Sequence, residues 1–156
     1  MARVAPRALL RAEHVVYLID TSVWIEVFRR PARLDLESIV ELEEVVTCLP
    51  VLQEVLQGFR DDRGFEVARD AMHALPIVEA PLGLGVFEQA VGLYRLARQA
   101  GATVRSSVDC LIAVCAVRNG LTLLHHDRDF DQLARVSPLR TRDVLPRREQ
   151  GPRRKS

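Results

Sequence analysis

The stretch Val15-Val16-Tyr17-Leu18-Ile19-Asp20-Thr21-Ser22-Val23-Trp24-Ile25-Glu26 decides the fold. Five apolar residues in a row suit a parallel strand buried on both faces, because a half-exposed strand would alternate apolar with polar. The run stops at Asp20. Thr21 or Ser22 can then cap a helix that carries Val23, Trp24, Val27 and Phe28 on its apolar stripe, with Glu26 in its early turns. A buried strand that ends on a carboxylate and turns straight into a helix is the opening of a parallel βαβ unit.

The same grammar repeats along the chain. Val45 to Leu49 reads as a second strand, and Pro50 suits the first turn of a helix bearing Val51, Leu52, Val55, Leu56 and Phe59. Residues 63–74 read as a helix and Leu75 to Val78 as a short strand. A longer helix is expected over 83–99 and stops at Gly101. Ser106 or Ser107 caps the next one, which ends at Asn119-Gly120. Leu121 to His125 is a further strand, Phe130 to Ala134 a short helix, and Val144-Leu145 a last short strand. Leu34 to Glu43 is ambiguous. Strands alternating with helices predict an α/β protein with a central, mostly parallel sheet covered on both faces.

Size and charge narrow the classes. A chain of 156 residues with 48% apolar residues can bury one sizeable core. No stretch is long enough to span a membrane, and Pro6 breaks the apolar part of Met1 to Leu10, so no secretory signal is expected. These features predict a cytoplasmic protein with no membrane partner. Cys48, Cys110 and Cys115 sit in apolar surroundings without metal-ligand spacing and are expected to be buried free thiols. Net charge is +1, but residues 140–156 hold seven basic and two acidic side chains. The expected organisation is an extension over residues 1–14, one domain over 15–145 and a basic tail over 146–156. That tail is either an RNA or acidic-partner contact or a loose, solubilising end.

Chemistry is expected where acids meet strand ends. Asp20 and Asp127 each end an apolar strand, and ligands of open parallel sheets bind along that edge. Asp109, Ile112, Ala113 and Ala116 share one helical face, so Asp109 lies at the apolar edge of its helix. An unpaired carboxylate is costly there, although its place near a helix N-terminus is favourable in itself. Glu54 also lies in an apolar helical pattern, and Asp129 is a fifth candidate. Gathered carboxylates repel one another unless a positive charge sits between them, and a divalent cation is the obvious one.

At these residues a resemblance is plain. Leu18-Ile19-Asp20-Thr21-Ser22-Val23-Trp24-Ile25-Glu26 resembles the opening signature of PIN-domain ribonucleases, and especially the VapC toxins of bacterial toxin–antitoxin pairs. Glu54 within Val51 to Gly58 is similar to their second acidic motif. Ser107-Val108-Asp109-Cys110-Leu111-Ile112-Ala113 is similar to the third, and Leu124-His125-His126-Asp127-Arg128-Asp129-Phe130 to the fourth. The likeness spans roughly residues 15–145. It implies a three-layer α/β/α PIN-like fold and a Mg²⁺- or Mn²⁺-dependent endoribonuclease acting on RNA such as tRNA or rRNA. It further implies a homodimer and a VapB-like antitoxin whose basic side chain reaches the carboxylates. Cleavage is expected to leave a 5′-phosphate and a 3′-hydroxyl.

On that resemblance Asp20, Glu54, Asp109 and Asp127 are the expected catalytic residues. Asp20, Asp109 and Asp127 hold the metal, Glu54 binds metal or positions the attacking water, and Asp129 is an accessory acid. Thr21 and Ser22 either bond a carboxylate or phosphate or cap the helix. Arg128 is a phosphate-contact candidate, with a solvated arginine as the alternative. His125 and His126 lie beside acids already sufficient for an oxygen-rich site, so direct ligation is not expected. Trp24 and Tyr17 are able to stack on bases, but Trp24 sits on an apolar stripe that favours packing.

Other functions fit less well. A phospho-receiver domain wants a lysine near its acids, and the only lysine is Lys155. A haloacid-dehalogenase-like phosphatase wants an aspartate two residues after the first, where Ser22 stands. No glycine-rich phosphate loop is present. The remaining alternative is a non-catalytic RNA- or protein-binding PIN module.

Overall fold

The computed structural model describes residues 14–145. The extension over residues 1–13 and the basic tail over 146–156 lie outside the described residues. Five strands form one sheet: β1 (Tyr17–Ile19), β2 (Val45–Cys48), β3 (Ile77–Val78), β4 (Thr122–His125) and β5 (Arg140–Asp143). Their order is β3-β2-β1-β4-β5, and every pairing is parallel. The helices that flank the sheet are α1 (Thr21–Phe28), α2 (Leu49–Gln57), α3 (Asp62–His73), α4 (Leu84–Gln99), α5 (Ser107–Arg118) and α6 (Arg128–Arg135). The three-layer α/β/α order expected from the alternation is present.

The central strands are the most apolar. Leu18 and Ile19 of β1 and Leu123 and Leu124 of β4 are fully buried. Each such side chain contributes roughly 1.5–3 kcal/mol of burial free energy. The paired strands run in register from Tyr17 opposite Thr122 to Ile19 opposite Leu124. Helix α5 is buried along most of its circumference (Cys110, Ile112, Ala113, Val114, Cys115 and Ala116), because it packs against α4, α6, α2 and β4. Its alanines allow that close approach. Gly101 and Gly120 end α4 and α5 at φ 79° and 63°, where a residue with a Cβ would be strained. Beyond Gly120 the Leu121 N–H returns to the Ala116 carbonyl and closes the helix end.

Several boundaries differ from the sequence reading. The last strand is Arg140–Asp143, not Val144-Leu145. It is an edge strand of alternating exposed and half-buried polar residues, so no apolar run marks it. Val144 only extends the ladder, through its N–H to the His125 carbonyl at 3.0 Å. The ambiguous segment after α1 holds two short 3₁₀ turns, Leu36–Ser38 and Leu42–Glu44. Helix α6 begins at Arg128, two residues before the expected Phe130, because Asp127 caps it.

The connectivity reverses beside β1. The chain leaves β1 toward β2 and β3, then crosses back to place β4 on the opposite side. The carboxyl ends of β1 and β4 therefore flank a crevice, the place where open α/β sheets bind ligands. No helix among the described residues is long and apolar enough to cross a membrane.

Candidate active site

Asp20, the residue after β1, serves as N-cap of α1, the role expected of Thr21 or Ser22. Its Oδ2 accepts from the Ser22 backbone N at 2.9 Å and from Ser22 Oγ at 2.5 Å. Ser22 Oγ in turn accepts the His126 backbone N–H at 3.0 Å, which ties the turn after β1 to the turn after β4. Thr21 Oγ1 donates to Glu54 Oε1 at 3.2 Å and so orients the acid of α2 toward the same crevice. The two hydroxyls therefore hold carboxylates rather than cap the helix.

Asp127 repeats the device at the other lip. It caps α6, and its Oδ1 accepts the Asp129 N–H at 3.0 Å. Its own N–H donates to His125 Nδ1 at 3.2 Å. His125 is fully buried, with Nδ1 taken up by that bond and Nε2 facing Asp131 at 3.5 Å. It is a scaffold for Asp127 rather than an open ligand. His126 Nδ1 lies 3.0 Å from Asp143 Oδ1, which turns that ring toward β5. Asp109 enters from the first turn of α5, behind the Ser106 cap, whose Oγ accepts from the Val108 N–H.

The acids converge. Asp20, Thr21, Ser22, Ile25, Glu54, Arg105, Ser106, Asp109, Asp127 and Asp129 line one cleft of about 350 Å³. One carboxylate oxygen from each of Asp109, Asp127 and Asp129 lies within 4.8 Å of the others. Asp129 is thus closer to the centre than an accessory role suggests. Asp127 is the N-cap of α6 and Asp129 lies in its first turn, and Arg105, bonded to both, holds the two carboxylates side by side. Asp20 lies alongside, held by Ser22. Arg128 is exposed and does not line the cleft. Trp24 and Tyr17 do not line it either; Trp24 is buried and stacks on Phe28 at 5.6 Å.

This crowding appears in the protonation equilibria. Burial, then the charges of Asp20, Asp127, Glu54 and Asp129, push the Asp109 carboxyl up to about 7. Burial raises Asp20 as well, against the Ser22 hydrogen bonds that favour its ionised form. Burial also raises Glu54, opposed by Thr21. An all-oxygen donor set under this repulsion fits a hard divalent cation, which would neutralise the charge and take these oxygens as ligands.

Arg105, which the sequence reading did not single out, is the one base among the described residues of the cleft. Its Nη2 lies 3.0 Å from Asp127 Oδ1 and its Nε 3.2 Å from Asp129 Oδ2, and its backbone N–H also donates to Asp129 Oδ2 at 3.0 Å. The hydrogen bond to Asp129 leads in raising its pKa. Charge balance predicted a positive partner for the acids, but Arg105 lies in a coil before a helix cap, with no periodicity to mark it.

The three cysteines are buried free thiols, as expected. The Cys115 sulfur beside it, then burial, push the Cys48 thiol upward, so it is a packing residue and not a nucleophile.

A parallel sheet with carboxylates gathered at its switch point defines the class of small α/β nucleases with an acidic centre. The family model described as PIN domain matches residues 17–136. Ribonuclease VapC11 of Mycobacterium tuberculosis is 39% identical over 127 residues, covering 78% of this chain and 94% of that protein. Among solved structures, DNA-bound VapBC from Salmonella typhimurium has a TM-score of 0.67 at 16% identity, covering 83% of this chain and 98% of that one. VapBC-5 from Mycobacterium tuberculosis, a member of the VapBC family of toxin–antitoxin systems, has a TM-score of 0.64 at 20% identity, covering 84% and 100%. The chain belongs to the PIN-domain family, among its VapC ribonucleases.

Proposed function

We propose that this VapC-type ribonuclease cuts RNA at the acidic cleft with Mg²⁺ or Mn²⁺ bound there, as the toxin of a toxin–antitoxin pair. The observation that carries the reading is the approach of Asp109, Asp127 and Asp129 to within 4.8 Å, with Asp20 and Glu54 lining the same cleft. Asp109, Asp127 and Asp129 would hold the ion, with Asp20 at its side. When bound, such an ion offsets charge on phosphoryl oxygens and favours the ionised form of a bound water. Asp109 gives up its proton before it can serve as a ligand. Glu54, steadied by Thr21, would orient and deprotonate an attacking water. A 5′-phosphate and a 3′-hydroxyl are the expected ends.

A VapB-like antitoxin is the proposed partner. A second cleft of about 330 Å³, lined by Trp24, Ile25, Phe28, Val55 and Phe59, shares Ile25 and Glu54 with the acidic one. An apolar segment seated there would lead a basic side chain into the carboxylates. A homodimer is also proposed. Its support is the exposed stripe Leu84, Phe87, Val91 and Tyr94 along one face of α4.

The test is incubation of the partner-free protein with total RNA in Mg²⁺, Mn²⁺ or chelator, beside Asp20→Asn, with end mapping of the products. Discrete metal-dependent cuts that vanish in the variant are expected. A folded, metal-loaded protein that binds RNA without cutting any would instead support a binding module.

A further inference from the structure

We propose that Arg105 is an exchangeable counter-cation of the acidic cleft: it ties Asp127 and Asp129 when no metal is bound, gives way to the metal, and then carries its guanidinium to an RNA phosphate. The inference rests on the metal-nuclease reading above and adds a residue to it.

Three observations carry it. First, the partners of Arg105 are two of the three carboxylates that approach one another closely enough to share an ion. The guanidinium and a metal therefore neutralise the same charges and compete for them. Second, the residue is anchored at one end and loose at the other. Its backbone N–H donates to Asp129 Oδ2 at 3.0 Å, a bond separate from those of the guanidinium, while the side chain is 70% exposed. The pair with Asp127 is solvated on both sides and therefore weak, and buried Asp129 keeps the backbone hydrogen bond when the guanidinium leaves. Third, among the described residues that line the cleft Arg105 is the only base, facing five carboxylates where a polyanion would enter. RNA entering this site meets repulsion unless a cation faces it. The planar fork of arginine suits a phosphate as it suits a carboxylate pair.

The exchange predicts opposite effects on the two ligands. Without Arg105 the metal loses a competitor and a repelling charge, and the RNA loses a contact. The experiment uses the full chain as wild type, Arg105→Gln and Arg105→Lys. Mn²⁺ affinity is measured by titration calorimetry without RNA. Binding of a fluorescent single-stranded RNA 20-mer is measured by anisotropy against salt, in an Asp20→Asn background to prevent cleavage. Thermal melts confirm that each variant folds.

Arg105→Gln should bind Mn²⁺ about three- to tenfold more tightly, as expected for removing one nearby positive charge. The same variant should bind RNA about tenfold more weakly, with its salt dependence reduced by roughly one phosphate contact. Arg105→Lys keeps the charge without the fork and should fall between. Weaker Mn²⁺ binding in Arg105→Gln would overturn the proposal and make Arg105 a brace that preorganises the acids. Unchanged RNA affinity or unchanged Mn²⁺ affinity would overturn it equally, while leaving the nuclease reading intact. Failure of the wild type to bind Mn²⁺ would overturn both.

Discussion

Ser22 and Asp20 are joined twice, through the Ser22 backbone N at 2.9 Å and its Oγ at 2.5 Å, both on Asp20 Oδ2. The same hydroxyl accepts the His126 N–H. One side chain thus fixes the Asp20 carboxylate, proposed above as part of the catalytic site, and couples the turns that follow β1 and β4. Ser22→Ala removes the hydroxyl and leaves the backbone bond. The expected cost is about 1 kcal/mol of stability for the buried network. Activity should fall about tenfold, since Asp20 then rotates more freely. Thermal melts and initial cleavage rates check it, and full activity in Ser22→Ala would remove Ser22 from the positioning network.

His125 should be costlier to lose than its surface neighbour. Its ring is fully buried and accepts the Asp127 N–H. His125→Leu strands that N–H and alters the turn that aims Asp127. A loss of about 2–3 kcal/mol is expected, in line with an unsatisfied buried donor added to changed packing. His126→Ala, half exposed beside Asp143, should cost under about 1 kcal/mol. Urea unfolding of both variants gives the comparison, and equal losses would contradict the scaffold role of His125.

Asp109 makes the metal-free protein pH-sensitive. Its pKa rises from 3.8 in the unfolded chain to about 7 in the fold. Between those values the folded state holds a proton that the unfolded state has lost. Stability from this group is therefore greatest below pH 4, falls as pH rises toward 7, and stays flat above. Asp109→Asn abolishes the penalty. In the presence of chelator the variant should melt at least about 4 °C above wild type at pH 8, given roughly 2–4 °C per kcal/mol for a chain of this size. The gap should close near pH 4. A gap independent of pH would mean that burial of Asp109 is not the source of the strain.

Metal affinity follows with the opposite sign. If Asp109 is a ligand, as proposed, it binds as the carboxylate, so Mn²⁺ binding should weaken as pH drops below about 7 and should release a proton there. Calorimetry in two buffers of different ionisation enthalpy reads that proton directly. No proton release at pH 6 would exclude Asp109 as a ligand.

The fold was legible because its central strands are apolar runs, unbroken in Val15 to Ile19 and interrupted only by Thr122 in Leu121 to Leu124. Arg140–Asp143 does not, since an edge strand with one wet face needs no apolar residues. The acids Asp20, Glu54, Asp109 and Asp127 were legible because a carboxylate at a strand end or on an apolar helix face asks for a reason. The approach of Asp129 to that group was harder to foresee. It depends on where α6 starts, and helix starts shift by a residue or two on a single cap. Arg105 was invisible for a different reason. Its partners are 22 and 24 residues away in sequence, and an arginine in a coil looks like any other solvated base.

Glu54 offers a test of whether the holding of an ion and the handling of water fall to different residues. Its carboxylate is not among the three that lie within 4.8 Å of one another, although it lines the same cleft. Burial raises its pKa, which suits a group that takes up a proton during the reaction. Glu54→Gln keeps the size and retains an oxygen for Thr21 Oγ1, but cannot act as a base. If Glu54 orients and deprotonates water, the cleavage rate should fall at least about 100-fold, the usual scale of general-base catalysis. Mn²⁺ affinity should change by less than about threefold, because no donor oxygen of the three-carboxylate cluster has gone. If Glu54 is instead a ligand, affinity should drop at least about tenfold, as expected for loss of a charged oxygen donor. Asp109→Asn, measured in parallel, supplies the ligand-type response for comparison. The rate and the affinity move together for a ligand and apart for a base, so one titration and one time course on Glu54→Gln assign its role.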